Sequence, residues 1–492
     1  MLLSFGHATW VAPLSNAFSA LCAGITVGIL FSTLKKLGIR LLGAWVGALC
    51  YLFCDTAWFS AVESEVYAMA MLVCSLNFYL AVCYRYSGNS RLIPLMGLTT
   101  GLGVGVHLMT LLALPAMVVV VVAGTHRKYR IHWLLFAMFF FLLGLSTYAI
   151  VPIRAAAHPS INELGNDFGS YLKREQYEKA PLYPRMWRER DTVNWSDWNA
   201  GRTDLLGNIA YGATYQVGYM YLRYIMYNFI GRENLKTHHI VVFVLPLLLG
   251  LWGVWQHFRR KRHEAWAIML LFLFGGLLLN LYLNHPCYEP RERDYAYVLS
   301  FYAFALWIGI GTDCLPWRNW KWIALLAPLS MAVGNWGDHD RHRCHSVHDI
   351  AMNHLESCDK NALLITLGDN DTFPLWYLQE VEGIRKDVCV MNVGLTGWQN
   401  ILDTLSDNAF RRPVYITHYF YQRHAQLFGD RLRCEGYCWQ VLPASTSSDR
   451  PVHIHDAVEW HITHDEYIDP ISNSFLNIWQ ENTGQNPTQM HL

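Results

Sequence analysis

The feature that most constrains this chain is a series of ten apolar stretches, most of them near the roughly 20 residues a helix needs to cross a bilayer. They run Leu14–Leu34, Leu41–Ala61, Val66–Tyr84, Leu92–Val106 and Leu108–Ala123, then Ile131–Pro152, Ile240–Trp255, Ala265–Leu283, Tyr297–Gly311 and Trp322–Val333. Composition agrees. Hydrophobic residues make up 53% of the 492 and charged ones only 15%, where an average soluble domain carries about a quarter charged. Mean hydropathy is +0.15. The 38 Lys and Arg balance the 38 Asp and Glu, so the basic excess of a nucleic-acid binder is missing. The 20 Trp and 27 Tyr suit many membrane–water boundaries. The expectation is a polytopic, mainly α membrane protein with no nucleic-acid partner.

Loop charge orients it, because Lys and Arg gather in cytoplasmic loops. Alternate loops carry Lys35, Lys36 and Arg40; Arg85 and Arg91; Arg127, Lys128 and Arg130; Arg259 to Arg262; and Arg318 with Lys321. The intervening short loops carry none, apart from Arg291 and Arg293. This register places both large polar segments outside the cytoplasm. The domain reading is membrane helices over 1–152, an outer loop region over 153–239, and further helices over 240–335. An outer domain over 336–445 and a polar tail over 446–492 follow. The outer domain reads as a small α/β unit, with strands at Ala362–Leu367, Asp387–Val393 and Pro413–Thr417 and a helix at Phe373–Glu382. The same register puts the N-terminus outside with no signal peptide ahead of it, so an upstream helix beyond this sequence is expected.

Of the 12 cysteines, Cys22, Cys50, Cys74 and Cys83 read as small residues of helix interiors. Cys344, Cys358, Cys389, Cys434 and Cys438 fall in the outer domain, where disulfides are permitted. Five is odd, and spacing assigns no pairing. Cys434-x-x-x-Cys438 lacks a second ligand pair, so no metal is assigned.

The polar residues that can carry chemistry cluster on the outer side. Asp55, Glu63 and Glu65 stand at one membrane edge, where carboxylates serve as general base or cation ligand. The structural alternative is a capping box formed by Ser60-x-x-Glu63, with Glu65 favouring the helix dipole. His107, after Gly101-Leu-Gly-Val-Gly105, is a candidate proton carrier or ligand, or an interfacial hydrogen-bonding residue. Pro290-Arg-Glu-Arg-Asp-Tyr295 breaks the charge pattern. Arg291 and Arg293 can grip a phosphate bidentately and Asp294 can orient one of them or bind substrate, or an Arg–Glu–Asp ion network including Glu292 holds two helices together. Arg154 and Arg232 are further phosphate candidates. In Gly368-Asp-Asn-Asp-Thr-Phe-Pro374, Asp369, Asn370 and Asp371 can meet a sugar or hard cation at a strand's end. They can also merely cap a helix with Pro374 in its first turn.

These residues occur in a recognisable order. Phe59-Ser-Ala-Val-Glu-Ser-Glu-Val-Tyr67, Gly105-Val-His-Leu108, Pro152-Ile-Arg154 and Arg174-Glu-Gln-Tyr177 come first. Gly231-Arg232, Arg291-Glu-Arg-Asp-Tyr295, Gly368 to Tyr377, Gln379 to Gly383 and Arg385 to Val388 follow. Over roughly Trp10 to Pro443 the chain resembles a bacterial multi-pass membrane family first catalogued as a domain of unknown function. Its animal relative is a transmembrane protein O-mannosyltransferase of plexin-type domains. The resemblance implies a fold similar to GT-C glycosyltransferases and a polyprenyl-phosphate-linked sugar as donor. It also implies exported proteins as acceptors, with Arg291, Arg293 and Asp294 bordering the donor pocket. The family's Asp-x-Gly-Glu loop and the following His-Pro-Pro-Gly are not found in this sequence. Two rivals stand beside a protein O-glycosyltransferase: a non-catalytic protein whose outer domain binds a glycan or partner, and a transporter or flippase. The latter needs polar residues near the bilayer midplane, and those here gather at the outer edge.

Overall fold

A computed structural model describes residues 6–124, 130–157, 169, 173, 180–188, 192–231, 244–287, 292–316, 321–341, 345–408 and 411–443. The chain divides into two compact units. One is Ala12–Asp340, and the other is Arg341–Leu492 with the first eleven residues.

The first unit is all helix. In chain order we label α1 (Val11–Lys36), α2 (Leu41–Leu52), α3 (Asp55–Val62), α4 (Val66–Ser87), α5 (Leu92–Val106) and α6 (Leu114–Gly124). There follow α7 (Arg130–Leu145), α8 (Ile150–Ala156), α9 (Leu205–Tyr211), α10 (Arg223–Phe229) and α11 (Leu245–Arg260). The unit ends with α12 (Arg262–Phe272), α13 (Leu278–Leu283), α14 (Val298–Asp313) and α15 (Leu326–His339). Wide turns at Gly212–Leu222 and Leu273–Leu277 join α9 to α10 and α12 to α13 into continuous rods.

Among the described residues five helical stretches are long and apolar enough to cross a membrane: Ala8–Lys36, Val66–Ser87, Ile131–Ala156, Arg262–Leu283 and Asp294–Asp313. The pair α2 and α3 makes a sixth if counted as one bent span. The other apolar stretches form shorter helices. Leu41–Ala61, expected as one span, bends by 61° between α2 and α3. A side chain from another helix holds the break open: the Asn335 amide of α15 donates to the Phe53 carbonyl at 2.8 Å. A second break falls at His107, whose extended backbone (φ −163°, ψ 141°) separates α5 from the turn Leu108–Ala113. Hydropathy does not register the first break, which lies within an apolar run, whereas the second falls between two of the apolar stretches read from the sequence.

The core of this unit is α14, buried from Val298 to Thr312. In lipid, association of apolar helices depends on close packing rather than on the hydrophobic effect, so small residues mark the contacts. A β-carbon on Gly43 would stand 2.6 Å from the Gly309 carbonyl oxygen, and one on Gly47 would stand 2.8 Å from that of Ala305. Gly253 and Gly311 bring α11 and α14 together in the same way, as do Gly97, Gly101 and Gly144 for α5 and α7.

Helices α2 and α14 run antiparallel, which sorts their charges to two ends. At one end Arg40 Nε meets Asp313 Oδ1 at 2.7 Å, and Lys321 Nζ donates to the Asp313 carbonyl at 2.8 Å. Lys261 Nζ reaches the Leu37 carbonyl there, also at 2.8 Å. Three of the basic loops read from the sequence therefore share one end. Asp55 and Asp294 lie at the other, about 24 Å away along the 16 residues of α14.

The second unit is built on a five-stranded sheet of β1 (Leu363–Thr366), β2 (Cys389–Asn392), β3 (Val414–Thr417), β4 (Leu432–Glu435) and β5 (Cys438–Val441), in the order β2-β1-β3-β5-β4. The first three strands are parallel, and β5 and β4 add antiparallel. All residues of β1 and β3 are buried, as a parallel strand covered on both faces demands. Three strands were expected. The β4–β5 hairpin was not, since each arm is four residues carrying charge or Cys, and its turn rests on Gly436 at φ +56°. Helices α16 (Ser346–Glu356), α17 (Asp369–Tyr377), α18 (Val393–Thr396), α19 (Trp398–Asn408) and α20 (His418–His424) complete the unit. Because α17 starts at Asp369, Pro374 falls in its second turn rather than the first.

Candidate functional site

At the end of the helical unit remote from Arg40, four elements converge on one polar cluster. Thr56, in the first turn of α3, is its hub. Its backbone N–H donates to Asn228 Oδ1 at 2.9 Å, and Asn228 Nδ2 donates back to Thr56 Oγ1 at 2.9 Å. The Thr56 hydroxyl donates to Asp294 Oδ2 at 2.7 Å. All three residues are buried, so a buried polar network in an apolar bundle is satisfied by its own members.

Beside it, Arg223 of α10 grips Glu292 bidentately, with Nη1–Oε1 at 3.0 Å and Nη2–Oε2 at 2.7 Å. Tyr224 links this pair to the next arginine: its hydroxyl donates to Glu292 Oε2 at 2.6 Å and accepts from the Arg293 backbone N–H at 2.9 Å. The Arg293 guanidinium in turn donates to the Tyr295 hydroxyl at 2.7 Å. The Tyr295 ring lies 4.6 Å from that of Tyr67, which meets the His107 ring at 5.4 Å. One continuous set of contacts thus carries Arg293, Asp294 and His107, three of the residues singled out in the sequence.

Asp55 is buried next to Thr56 and faces α15. His339 Nε2 stands 2.9 Å from the Asp55 carbonyl oxygen and 3.5 Å from its carboxylate. The same ring stacks on Trp58 at 5.0 Å and meets the Asn335 carbonyl through Nδ1 at 2.7 Å.

The other candidates are placed differently. Glu63 is half-buried just past α3, and Glu65 is exposed ahead of α4. The capping box does not form: Ser60 lies inside α3 and its hydroxyl bonds the Thr56 carbonyl at 2.8 Å. The helix runs on to Val62 and α4 begins only at Val66, so Ser60 is a turn too far back to cap it. Arg154 is exposed at the end of α8. Arg232, Arg291 and the Arg174–Tyr177 motif lie outside the described residues.

In the sheet unit Asp369 and Asn370 are exposed, while Asp371 turns inward. Its Oδ2 accepts both from the Leu367 backbone N–H at 3.0 Å and from the Thr417 hydroxyl at 2.6 Å. Burial pushes the Asp371 carboxyl up to about 6, against the two hydrogen bonds that favour its charge. Among the described residues no group of three or more His, Cys, Asp or Glu side chains is arranged to hold a metal ion.

Sequence reasoning missed Thr56, Arg223, Tyr224, Asn228 and His339; Glu292 was expected in an ion network between helices, and its partner is Arg223. Arg223 carried a usable signal, since a lone cation within Tyr219-Met-Tyr-Leu-Arg-Tyr-Ile-Met-Tyr227 needs a partner in an apolar setting. Its guanidinium lies over the Tyr219 ring at 4.1 Å.

Residues 2–131 match a family model described as the N-terminal domain of the protein O-mannosyl-transferase TMEM260, and residues 347–400 match TMEM260-associated domain 2. These two segments of the chain are similar to TMEM260-type domains. The resemblance read from the ordered motifs is upheld by these matches. Among solved structures the chain is similar to ArnT from Cupriavidus metallidurans in the apo state, at a TM-score of 0.48 and 11% identity. That similarity covers 87% of this chain and 82% of the other. Comparison with curated protein sequences finds no match.

Proposed function

We propose that this protein is a GT-C-like membrane glycosyltransferase that moves a sugar from a polyprenyl-phosphate donor to a Ser or Thr hydroxyl of exported proteins. The observation that carries this reading is the convergence of Arg293, Asp294 and the Thr56–Asn228 pair at one end of the bundle, with Arg223 and Glu292 holding the loop. The TMEM260 matches support the same chemistry. In the reaction the bond from the sugar's anomeric carbon to phosphate breaks and a bond to the acceptor oxygen forms. A carboxylate takes the hydroxyl proton, and arginine stabilises the negative charge left on the lipid phosphate. Asp55, Glu63 and Glu65 are the candidate carboxylates. Asp55 is tied most closely to the cluster, through its neighbour Thr56. Arg293, with Arg154, Arg232 and Arg291, is assigned to the phosphate. His107 lines the same wall.

This reading places the Asp55–Asp294 end and the sheet unit outside the cytoplasm, with the Arg40–Asp313 end inside. Asp369 and Asn370, exposed at the start of α17, are assigned to the sugar or acceptor side. A second reading takes the sheet unit as a glycan- or partner-binding module without catalysis. It is favoured by exposed Phe373 stacked on Trp376 at 5.7 Å beside those two polar side chains.

The test is Arg293→Ala in the full-length protein. Removing a charge-stabilising group is expected to lower sugar transfer at least about 100-fold while membrane insertion persists. Transfer at the normal rate overturns the phosphate role. Sugar binding without any transfer by the unaltered protein supports the binding reading instead.

A further inference from the structure

The sheet of the second unit separates two apolar cores, and its cysteines fall on different sides. Cys434 packs with Trp439, Val441 and Phe420 in one core. Cys358 and Cys438 pack with Leu355, Leu364 and Tyr415 in the other. The hairpin register explains the split. Cys434 lies opposite Trp439 and Glu435 opposite Cys438, and successive residues of a strand point to opposite faces. Cys434 and Cys438, four positions apart in sequence, therefore point away from each other across the sheet. Cys389 is excluded by distance. It sits on β2, three strands from β5 in the order β2-β1-β3-β5, which is about 14 Å at the usual strand spacing. A disulfide needs its two Cα atoms within about 7 Å.

The thiols of Cys358 and Cys438 come together from different elements. Cys358 follows the last turn of α16, and its thiol donates to the His354 carbonyl at 3.3 Å. The Cys438 thiol of β5 donates to the same oxygen at 3.5 Å and lies in hydrogen-bonding contact with the Cys358 thiol. Both are buried. We propose that Cys358 and Cys438 are a disulfide pair, closed when the sheet unit folds in an oxidising compartment. The proposal rests on the extracytoplasmic placement given above for this unit.

The step is an exchange with a disulfide-bearing oxidoreductase. The two thiols each lose a proton and together two electrons, one S–S bond forms, and the oxidant's disulfide is reduced to a dithiol. Burial, reinforced by the neighbouring thiol, pushes the Cys438 thiol well above its ordinary range in the folded unit. The attacking species is a thiolate, so the bond forms before the second core closes over the pair. Once made, it fastens α16 to β5, the strand that joins the β4 edge to the parallel strands.

The test uses the full-length protein in intact cells and isolated membranes. A membrane-impermeant maleimide first probes exposed Cys389, which reports the side on which the unit lies. Non-reducing digestion and mass spectrometry then seek the Cys358 and Cys438 peptides joined, lighter by two hydrogens than their sum and separated by reductant. Cys434→Ser should keep the cross-link. Cys438→Ser should abolish it and leave Cys358 open to alkylation after denaturation. If Cys389 is labelled from outside while Cys358 and Cys438 are both alkylated as thiols, the pairing is overturned and the placement stands. A link from Cys438 to Cys434 also overturns the pairing. Labelling of Cys389 only after permeabilisation overturns the placement and the disulfide together.

Discussion

The two units each gather threonine, asparagine and aspartate into a buried cluster, and the two clusters are differently completed. In the helical unit Thr56 donates to Asp294 while Asn228 donates to Thr56. In the sheet unit Thr417 donates to Asp371 while Asn392 donates to Thr372 at 2.7 Å, and Thr372 bonds the Gly368 carbonyl, also at 2.7 Å. The hydrogen bonds are alike. The surroundings are not. Asp294 adjoins Arg293, and Arg223 with Glu292 stands one tyrosine away. Asp371 meets only a hydroxyl and a backbone N–H in the bonds that hold it, and its carboxyl is raised accordingly. A carboxylate beside arginines can orient one of them toward a phosphate. One held by neutral donors in a buried turn mainly fastens the strand ends of its own fold.

The largest expected effect tests whether the units depend on each other. Gly47→Leu drives a side chain into the Ala305 backbone, and overpacking at a helix contact of this closeness should leave no stable helical unit, losing at least about 3 kcal/mol. Size-exclusion in detergent should show aggregation. Hydrogen exchange over 363–441 in any soluble fraction then asks whether the sheet survives alone, and full protection there would make the two units separate folding bodies.

A matched pair of substitutions sharpens the contrast between the clusters. Thr56→Val and Thr417→Val each delete a hydroxyl donated to an aspartate, and each should cost about 1–3 kcal/mol of stability. Only Thr56→Val should lower sugar transfer by more than that loss explains, since it alone removes a hydrogen bond from Asp294. Transfer kinetics at a temperature where both variants are folded measure the difference. Equal losses of activity would erase the distinction between the two clusters.

The smallest effect is the pH response of the sheet unit. The folded Asp371 carboxyl titrates near 6, above its ordinary 3.8. The folded unit therefore binds that proton more tightly than the unfolded chain. This contribution is fully present below about pH 4 and lost as pH rises through about 6. Both donors reach one oxygen, so asparagine can keep them. Asp371→Asn should slow exchange in β1 and β3 at pH 7, by about 1–2 kcal/mol after allowance for solvent screening, and change little at pH 4. His354 and His418 act in the opposite direction. Burial lowers both to about 4, so the stability they contribute is full above about pH 6.5 and lost as pH falls through about 4. A wild-type unit that gains protection on acidification below 6 would contradict that balance.

The legible part of the fold was whatever period, run length and charge encode. The apolar runs located the helices, and the basic loops correctly sent Arg40, Lys261 and Lys321 to one end because like positions of antiparallel helices share an end. The alternation after Ala362 located the three parallel strands. The bend after Leu52 was not legible, because the amide that holds it is Asn335, 282 positions away. The capping box failed because α3 continues past Ser60 and α4 starts only at Val66.

The site divides along the same line. Arg293, Asp294 and His107 were visible as charged or polar residues at membrane edges, where such residues are costly and so are informative. Thr56, Asn228 and His339 are ordinary residue types whose meaning lies wholly in what faces them. The sequence by itself determined that the chain is a helical membrane protein with a small parallel-stranded unit, since a polypeptide must answer locally to its own hydrophobic period. Which polar groups meet, which glycines touch backbone and which cysteines share a face were decided by tertiary structure alone. Those contacts join residues tens to hundreds of positions apart, and no local pattern records them.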